Sequence, residues 1–392
     1  MVPDGWRLTG LDGVRASIID GDRGKSYPKK DDYLSNGHAL FIGAENIANG
    51  YFSLNKTVFI SKEKYEEMRK GIVQDKDIIL VMRGNGTGRS CIFFSDKIHG
   101  KVARINSGLV IIRASEEYTD VNFLHQLFLS DIIKKQFDGF IFGSAQPQLT
   151  VSLLKSLVIP IPPFYEQVKI ACILSVWDKA IATTEQLLAN SQQQKKALMQ
   201  QLLTGKRRFL DFSGEWNQVY LGDICQPRQW ATISSSDLID SGYPVYGANG
   251  FIGYFTEFNH PLETVAITCR GSTCGEVSLI PKKSYITGNS MCLDEIDTDK
   301  NHHLFIFYLL KYRGFNDVIS GSAQPQIVGK AIKKIKITVP ELEEQNKIAS
   351  VLAIADQETQ TLKQKLHHLK QEKKALMQQL LTGKRRVKTE AA

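Results

Sequence analysis

Apolar positions follow two rhythms along this chain. Short continuous runs that enter polar glycine loops, DIILVMRG at 77–84 and TVAITCRG at 264–271, predict buried strands running into loops. From Glu166 to Thr204, and again from Glu343 to Thr382, the spacing becomes helical. Proline is absent from both stretches, and Gly205 and Gly383 follow as stops. A 4-3 spacing runs through Ile170, Leu174, Trp177, Ile181, Thr184, Leu188, Ser191, Lys195, Leu198 and Leu202. It recurs through Ile348, Leu352, Ala355, Thr359, Leu362, Leu366, Leu369, Lys373, Leu376 and Leu380. About five heptads of this kind predict a coiled-coil seam on helices of roughly 58 Å, taking 1.5 Å per residue.

The same stretches lie in an internal repeat. KKALMQQLLTGKRR at 195–208 returns unchanged at 373–386, and GSAQPQ at 143–148 returns at 321–326, both at an offset of 178. Laying 143–208 on 321–386 needs no gap and matches 34 of 66 positions, so the block has been duplicated. The segments before the blocks differ in length but share a skeleton. Each opens with a Trp, in PDGW at 3–6 and SGEW at 213–216. Each carries a glycine loop, RGNGTG at 83–88 and RGSTCG at 270–275, and then an Asn-Ser step, Asn106-Ser107 and Asn289-Ser290. Each ends in an apolar, helix-like stretch. The order is variable domain, repeat, variable domain, repeat: 1–142, 143–208, 209–320 and 321–387, with a tail at 388–392. Thr184 and Ser191 stand where the other copy has Leu362 and Leu369, which favours pairing of the two helices with each other over self-pairing. A rod of this kind between two similar heads acts as a ruler.

At 392 residues the chain is too long for one core. A formal charge of +8 suits a polyanionic partner without proving one. No run of about 20 apolar residues and no signal peptide is visible, so a cytoplasmic protein is expected. The six cysteines form no C-x-x-C pair. Cys269 and Cys274, with four residues between them, leave a zinc site open, but no His pair sits at finger spacing, and reduced, mostly buried thiols are expected, with no metal site.

Catalytic look-alikes fail on inspection. Ile161-Pro162-Pro163-Phe164 resembles the [DN]PP[YF] motif of adenine methyltransferases, but Ile161 cannot hydrogen-bond a target amino group. Gly24-Lys25-Ser26 lacks the leading glycine of a phosphate loop, and Pro28 disfavours the helix that would follow. RGNGTG is not G-x-G-x-x-G. No catalytic residues are assigned.

PDGW, the GSAQPQ repeats, the EQ-x-KIA helix starts (Glu166, Gln167, Lys169; Glu344, Gln345, Lys347) and the twin LLTGKRR ends resemble the specificity (S) subunits of type I restriction-modification systems. The resemblance covers the chain to about residue 387. It implies an α+β fold: two globular α/β target-recognition domains separated by two long conserved helices that form an antiparallel coiled coil with pseudo-two-fold symmetry. It implies a subunit with no chemistry of its own. That subunit reads a bipartite site in double-stranded DNA and docks two methyltransferase (M) subunits and restriction (R) subunits. S-adenosylmethionine then belongs to the methyltransferase partner, and ATP and Mg to the restriction partner. A coiled-coil DNA-binding adaptor and a fused modification-restriction enzyme are the alternatives.

Base reading needs Arg, Asn, Gln, Ser or Thr on elements that reach the grooves, with Lys or Arg on phosphates. The candidates in the first domain are Arg83, Asn85, Thr87, Arg89, Arg104 and Asn106. In the second they are Tyr246, Asn249, Arg270, Ser272, Thr273, Lys282, Lys283 and Asn289. Gln146, Gln148, Gln324 and Gln326 are identical in the two copies. They are expected to serve backbone contact, a turn or docking rather than base reading. Lys206, Arg207, Arg208 and Lys384, Arg385, Arg386 follow the helix ends. There they meet phosphates or another subunit, or simply complement the helix dipole.

Overall fold

A computed structural model describes residues 2–48, 50–141, 148–321 and 324–387. It contains two compact units, Met1–Thr184 with Lys365–Ala392, and Glu185–Gln364. Compact folding therefore cuts the chain inside both long helices, whereas the sequence divides at the repeat boundaries.

In the first unit a four-stranded antiparallel sheet runs in the order Ser17–Asp20, Leu109–Arg113, Ile78–Val81, Ser90–Ile92. Its central strands are continuous apolar runs because both faces are covered. Ile78, Leu80, Val110 and Ile112 face the helix Val121–Leu129 through Phe123, Leu124 and Leu127. Ile79, Val81, Leu109 and Ile111 face Leu40, Ile42 and Ile105. The last three belong to a three-stranded sheet ordered Phe59–Ile60, Ala39–Ile42, Val102–Ile105, whose final pair is parallel. A short ladder joins Arg7–Thr9 to Ile159–Ile161.

The second unit repeats this plan. Its four-stranded sheet is ordered Gln226–Arg228, Ser290–Asp294, Thr264–Thr268, Val277–Ile280. Its three-stranded sheet is ordered Gly250–Phe255, Tyr243–Gly247, Tyr285–Ile286, again with the last pair parallel. Asn217–Tyr220 pairs with Lys336–Val339. Val265 and Ile267 pack with Phe305, Ile306 and Leu309 of the helix His303–Arg313.

The long helices span Phe164–Leu202 and Leu342–Leu380, 39 residues each. Both start slightly before the predicted Glu166 and Glu343. Both end two residues short of the predicted Thr204 and Thr382, because the chain leaves the helix through a left-handed glycine. At Gly205 φ is 65°, and Arg207 N–H reaches back to Gln201 O at 3.1 Å; at Gly383 φ is 72°, and Arg385 N–H reaches Gln379 O at 3.1 Å.

In each unit the start of one long helix lies antiparallel to the end of the other. In the first unit Lys373 Nζ meets Asp178 Oδ1 at 2.6 Å and Arg386 meets Glu166, so one number falls as the other rises. In the second, Lys195 pairs with Asp356 and Arg208 with Glu344. These are the same contacts at the repeat offset. Along the seam Ile170, Leu174, Leu202, Ile348, Leu352 and Leu380 are buried, as are the polar Thr184, Ser191, Thr359 and Lys373. Trp177, Ile181, Leu188, Leu198, Leu362, Leu366, Leu369 and Leu376 are half-buried. Ser191 Oγ meets Thr359 Oγ1 at 3.1 Å, so a seam hydroxyl is matched by a hydroxyl, not by a leucine of the other copy. Thr184 and Thr359 also donate to carbonyls one turn back, at 2.8 and 2.9 Å.

Candidate nucleic-acid interface

Two glycine loops, of different sequence, share one backbone. In the first unit Val81 N–H bonds Arg89 O, Gly88 N–H bonds Val81 O, Thr87 N–H bonds Gly84 O and Arg89 N–H bonds Gly86 O. In the second, Thr268, Gly275, Cys274 and Glu276 donate in the same order to Glu276, Thr268, Gly271 and Thr273. Gly84 and Gly271 have φ of 82° and 88°, and a Cβ on either would meet nothing within 4 Å. The left-handed backbone alone therefore selects glycine there.

Each loop is tied to its neighbours identically. Met82 N–H bonds Gly108 O at 2.8 Å, and Leu149 N–H bonds Met82 O at 2.7 Å. Cys269 N–H bonds Asn289 O, and Ile327 N–H bonds Cys269 O, both at 3.0 Å. The main chain of Arg83 bridges that of Gln148, and Arg270 bridges Gln326. The last glutamine of each GSAQPQ therefore abuts the first arginine of each loop. Gln324 is exposed, whereas Gln146 lies outside the described residues.

The structure sorts the candidates. Asn85, Arg270 and Ser272 are exposed, and Arg83 and Thr87 are half-buried. Thr87 Oγ1 donates to Gly84 O at 2.8 Å, and Arg89 folds back toward Asn85 O at 3.2 Å, so both brace the loop that carries Asn85. Arg104 is a correction. It is only 3% exposed, its guanidinium stacks 4.4 Å over Tyr65, and it donates to Lys70 O at 2.7 Å. Burial pulls its pKa below the ordinary arginine value, and it supports the fold rather than facing a ligand. Asn106 closes its own turn, accepting from Gly108 N–H at 2.9 Å. The Asn-Ser correspondence also shifts: by hydrogen bonding Asn106 matches Thr287 and Gly108 matches Asn289, because Leu109 N–H bonds Asn106 O as Ser290 N–H bonds Thr287 O.

In the second unit Asn249 Oδ1 accepts from Thr273 Oγ1 at 3.0 Å, which ties the YGANG turn to the glycine loop. Tyr246 is half-buried and packs edge-on to Phe251. Asn289 lies at the same end of the sheet, since Thr268 pairs with Ser290. Lys282 and Lys283 are exposed but follow the far end of the strand Val277–Ile280, so they do not converge with the loop. Lys282 instead lines a cleft of ≈ 1010 Å³ with Arg228, Trp230, His260 and Asp294.

Sequence reasoning missed three features. The turn Gly43–Asn46 is the counterpart of Gly247–Gly250, because Asn106 N–H bonds Ile42 O as Thr287 N–H bonds Tyr246 O. The shared Gly-Ala of GAEN and GANG was the available signal. His260, Cys292 and Asp294 gather their ligand atoms within 4.8 Å. His260 already bonds Asn259 Oδ1 at 2.6 Å and Asp294 Oδ1 at 3.0 Å, so both of its ring nitrogens are taken, and burial pushes the Cys292 thiol far up. All six cysteines are free, and Cys269 Sγ sits 2.9 Å from Gln229 Nε2.

The third missed feature concerns the basic helix ends. Arg208 and Arg386 sit on buried carboxylates. Arg208 Nε meets Glu344 at 3.0 Å beside Trp216 Nε1 at 3.2 Å, and Arg386 Nε meets Glu166 at 2.9 Å beside Trp6 Nε1 at 3.4 Å. These arginines are internal ties, which none of the readings of the helix ends foresaw. The two motif tryptophans share their acceptors.

The family profile described as "type I restriction modification DNA specificity domain" matches residues 3–190 and 213–371. The chain is 26% identical over 431 residues to the type I restriction enzyme MjaVIII specificity subunit of Methanocaldococcus jannaschii, covering 99% of this chain and 94% of that one. Its fold is similar to the S subunit of a type I restriction-modification system from M. genitalium, with a TM-score of 0.69 at 18% identity, covering 97% of this chain and 96% of that one. It is also similar to a chain from a structure on complex assembly and conformational transition of the type I R-M system, with a TM-score of 0.56 at 20% identity, covering 98% and 99%. Among the described residues no helix is long and apolar enough to cross a membrane.

Proposed function

This chain belongs to the type I restriction modification DNA specificity family, and from that premise we propose that each of its two units reads one half of a bipartite DNA site. DNA sequence recognition is the role of the family; the division of labour between units is the finer reading. One observation carries it. The two glycine loops have the same backbone hydrogen bonds but present Asn85 in one unit and Ser272 in the other. A constant frame with exchangeable tips suits two readers with different targets, because base edges are distinguished by side-chain donors and acceptors.

We propose further that the chain carries no reaction centre and acts in the cytoplasm, docking two methyltransferase subunits and, through them, restriction subunits. S-adenosylmethionine would be held by the methyltransferase, and ATP and Mg by the restriction subunit. The buried carboxylates support this reading of the chain: Glu166 and Glu344 are each consumed by an arginine and a tryptophan, which leaves them bound in structural roles.

The test is incubation with labelled S-adenosylmethionine and a randomised duplex library. The chain with its methyltransferase partner is expected to modify DNA at one split sequence, and the pure chain to transfer no label. Label transfer by the pure chain would overturn the non-catalytic reading. Modification without sequence preference would overturn the reader assignment.

A further inference from the structure

Gln148 and Gln326 end GSAQPQ, which is identical in both copies, and their neighbours make the same bonds in both units. Each glutamine's main chain forms an antiparallel bridge with the arginine that opens the glycine loop, Arg83 or Arg270. Residues directly opposite in such a pair project to the same side, roughly 5 Å apart at Cβ. Both glutamine side chains are exposed. The residue after each is anchored: Leu149 is 1% exposed and Ile327 3%, and they donate their N–H to Met82 O and Cys269 O, the residues between strand and loop. An exposed amide is thus held beside each reading loop by a buried neighbour and a main-chain bridge, in two heads whose loop tips differ.

A side chain that is the same in both heads suits a feature that is the same in both half-sites. The sugar-phosphate backbone is such a feature, and contacts to it position a protein without carrying sequence information. We propose that Gln148 and Gln326 each donate their side-chain N–H to a DNA phosphate, at equivalent steps of the two half-sites. Through the bridge they set the register in which the adjacent loop meets the bases. They are positioning residues. The loop tips at Asn85 and Ser272 supply discrimination, and the glutamines supply the constant distance from backbone to tip. This rests on the DNA-reading assignment above.

The experiment uses the full-length chain, alone and with its methyltransferase partner. The binding site is first selected from random duplexes with the wild type. Failure to select any site would refute the DNA-reading assignment itself, and the proposal with it. Given a site, Gln148→Ala and Gln326→Ala are each expected to weaken binding about tenfold, the scale of one hydrogen bond to a charged group. The loss should be equal on the selected site and on unrelated duplex, leaving the ratio between them unchanged. The slope of log affinity against log salt should also be unchanged, because a neutral donor releases no counterion. Gln148→Glu and Gln326→Glu keep the main-chain bridge but set a carboxylate against the phosphate, and should bind more weakly than the alanine variants. A changed base preference in one half-site would make the glutamine a base reader and overturn the proposal. So would alanine and glutamate variants that bind DNA like the wild type, including the case in which they lose only the methyltransferase.

Discussion

A fragment ending at Arg208 is expected to form a symmetric dimer with a Kd near micromolar. In the intact first unit, residues 373–386 supply Met377, Leu380 and Leu381 to the core around Trp6, Ile170 and Leu174, with Lys373 on Asp178 and Arg386 on Glu166. The fragment lacks these, but its own 195–208 carries the same 14 residues. A second copy can therefore place Met199, Leu202 and Leu203 in that core, Lys195 on Asp178 and Arg208 on Glu166. Burying three such apolar side chains contributes roughly 6 kcal/mol, and a two-fold dimer does so twice, for roughly 12. Association costs about 4 kcal/mol or more, which leaves about 8, the free energy of a Kd near ~1 μM. The ion pairs add register and orientation. Sedimentation over a concentration series, alone and with the methyltransferase partner, reads the dimer, and selection on random DNA should return the first half-site twice as a palindrome. Leu202→Asp should keep the fragment monomeric. A fragment that stays monomeric well above micromolar concentration even with the partner, or a dimer that selects an asymmetric site, would refute the equivalence of the two helix ends.

Three further outcomes are expected. Glu344→Gln removes the buried negative charge that Arg208 meets and turns one of its two acceptor oxygens into a donor, and should lower stability by roughly 3 kcal/mol, read as a shift in the denaturation midpoint; an unchanged midpoint would show the pair to be idle. Burial holds His125 down at about 4, against about 6.5 when unfolded, so the unfolded chain binds the extra proton first. Stability should be intact above pH 6.5 and fall by roughly 3 kcal/mol as pH drops toward 4, levelling below that; His125→Gln should remove this part of the pH dependence. Arg270→Ala, at an exposed loop residue, should weaken DNA binding by ~1–3 kcal/mol and relax one half-site only, whereas an equal loss on all sequences would mark a phosphate contact.

The arginines illustrate what local pattern cannot convey. Arg83, Arg104 and Arg270 look alike as polar residues beside apolar runs. Arg104 sits on the parallel edge strand of the smaller sheet, where Tyr65 and Lys70 O enclose it. Arg83 and Arg270 sit where a strand leaves the larger sheet. Which edge of which sheet a strand takes is settled by pairings tens of residues apart, and no neighbouring residue records it. The lysines at 282–283 were misplaced for the same reason, since they are near the loop in sequence but at the opposite end of one short strand.

By itself the sequence determined everything that repeats or runs locally: the duplication, the two helices within a few residues, the heptad seam and the two glycine loops. Periodicity and glycine preference are properties of neighbouring residues, so they survive without knowledge of the fold. Tertiary structure alone decided that the last turn of the second long helix completes the first unit, with Arg386 on Glu166 and Asp4 O. It decided that Asp178 and Asp356 each serve a long helix and a head, through Gln126 and Tyr308. It decided that Gln148 and Gln326 stand beside the loop arginines. These contacts join residues separated by up to 382 positions. Their partners are chosen by which buried carboxylate or open main-chain group lies within reach once the core has formed, and that is a fact of three-dimensional packing.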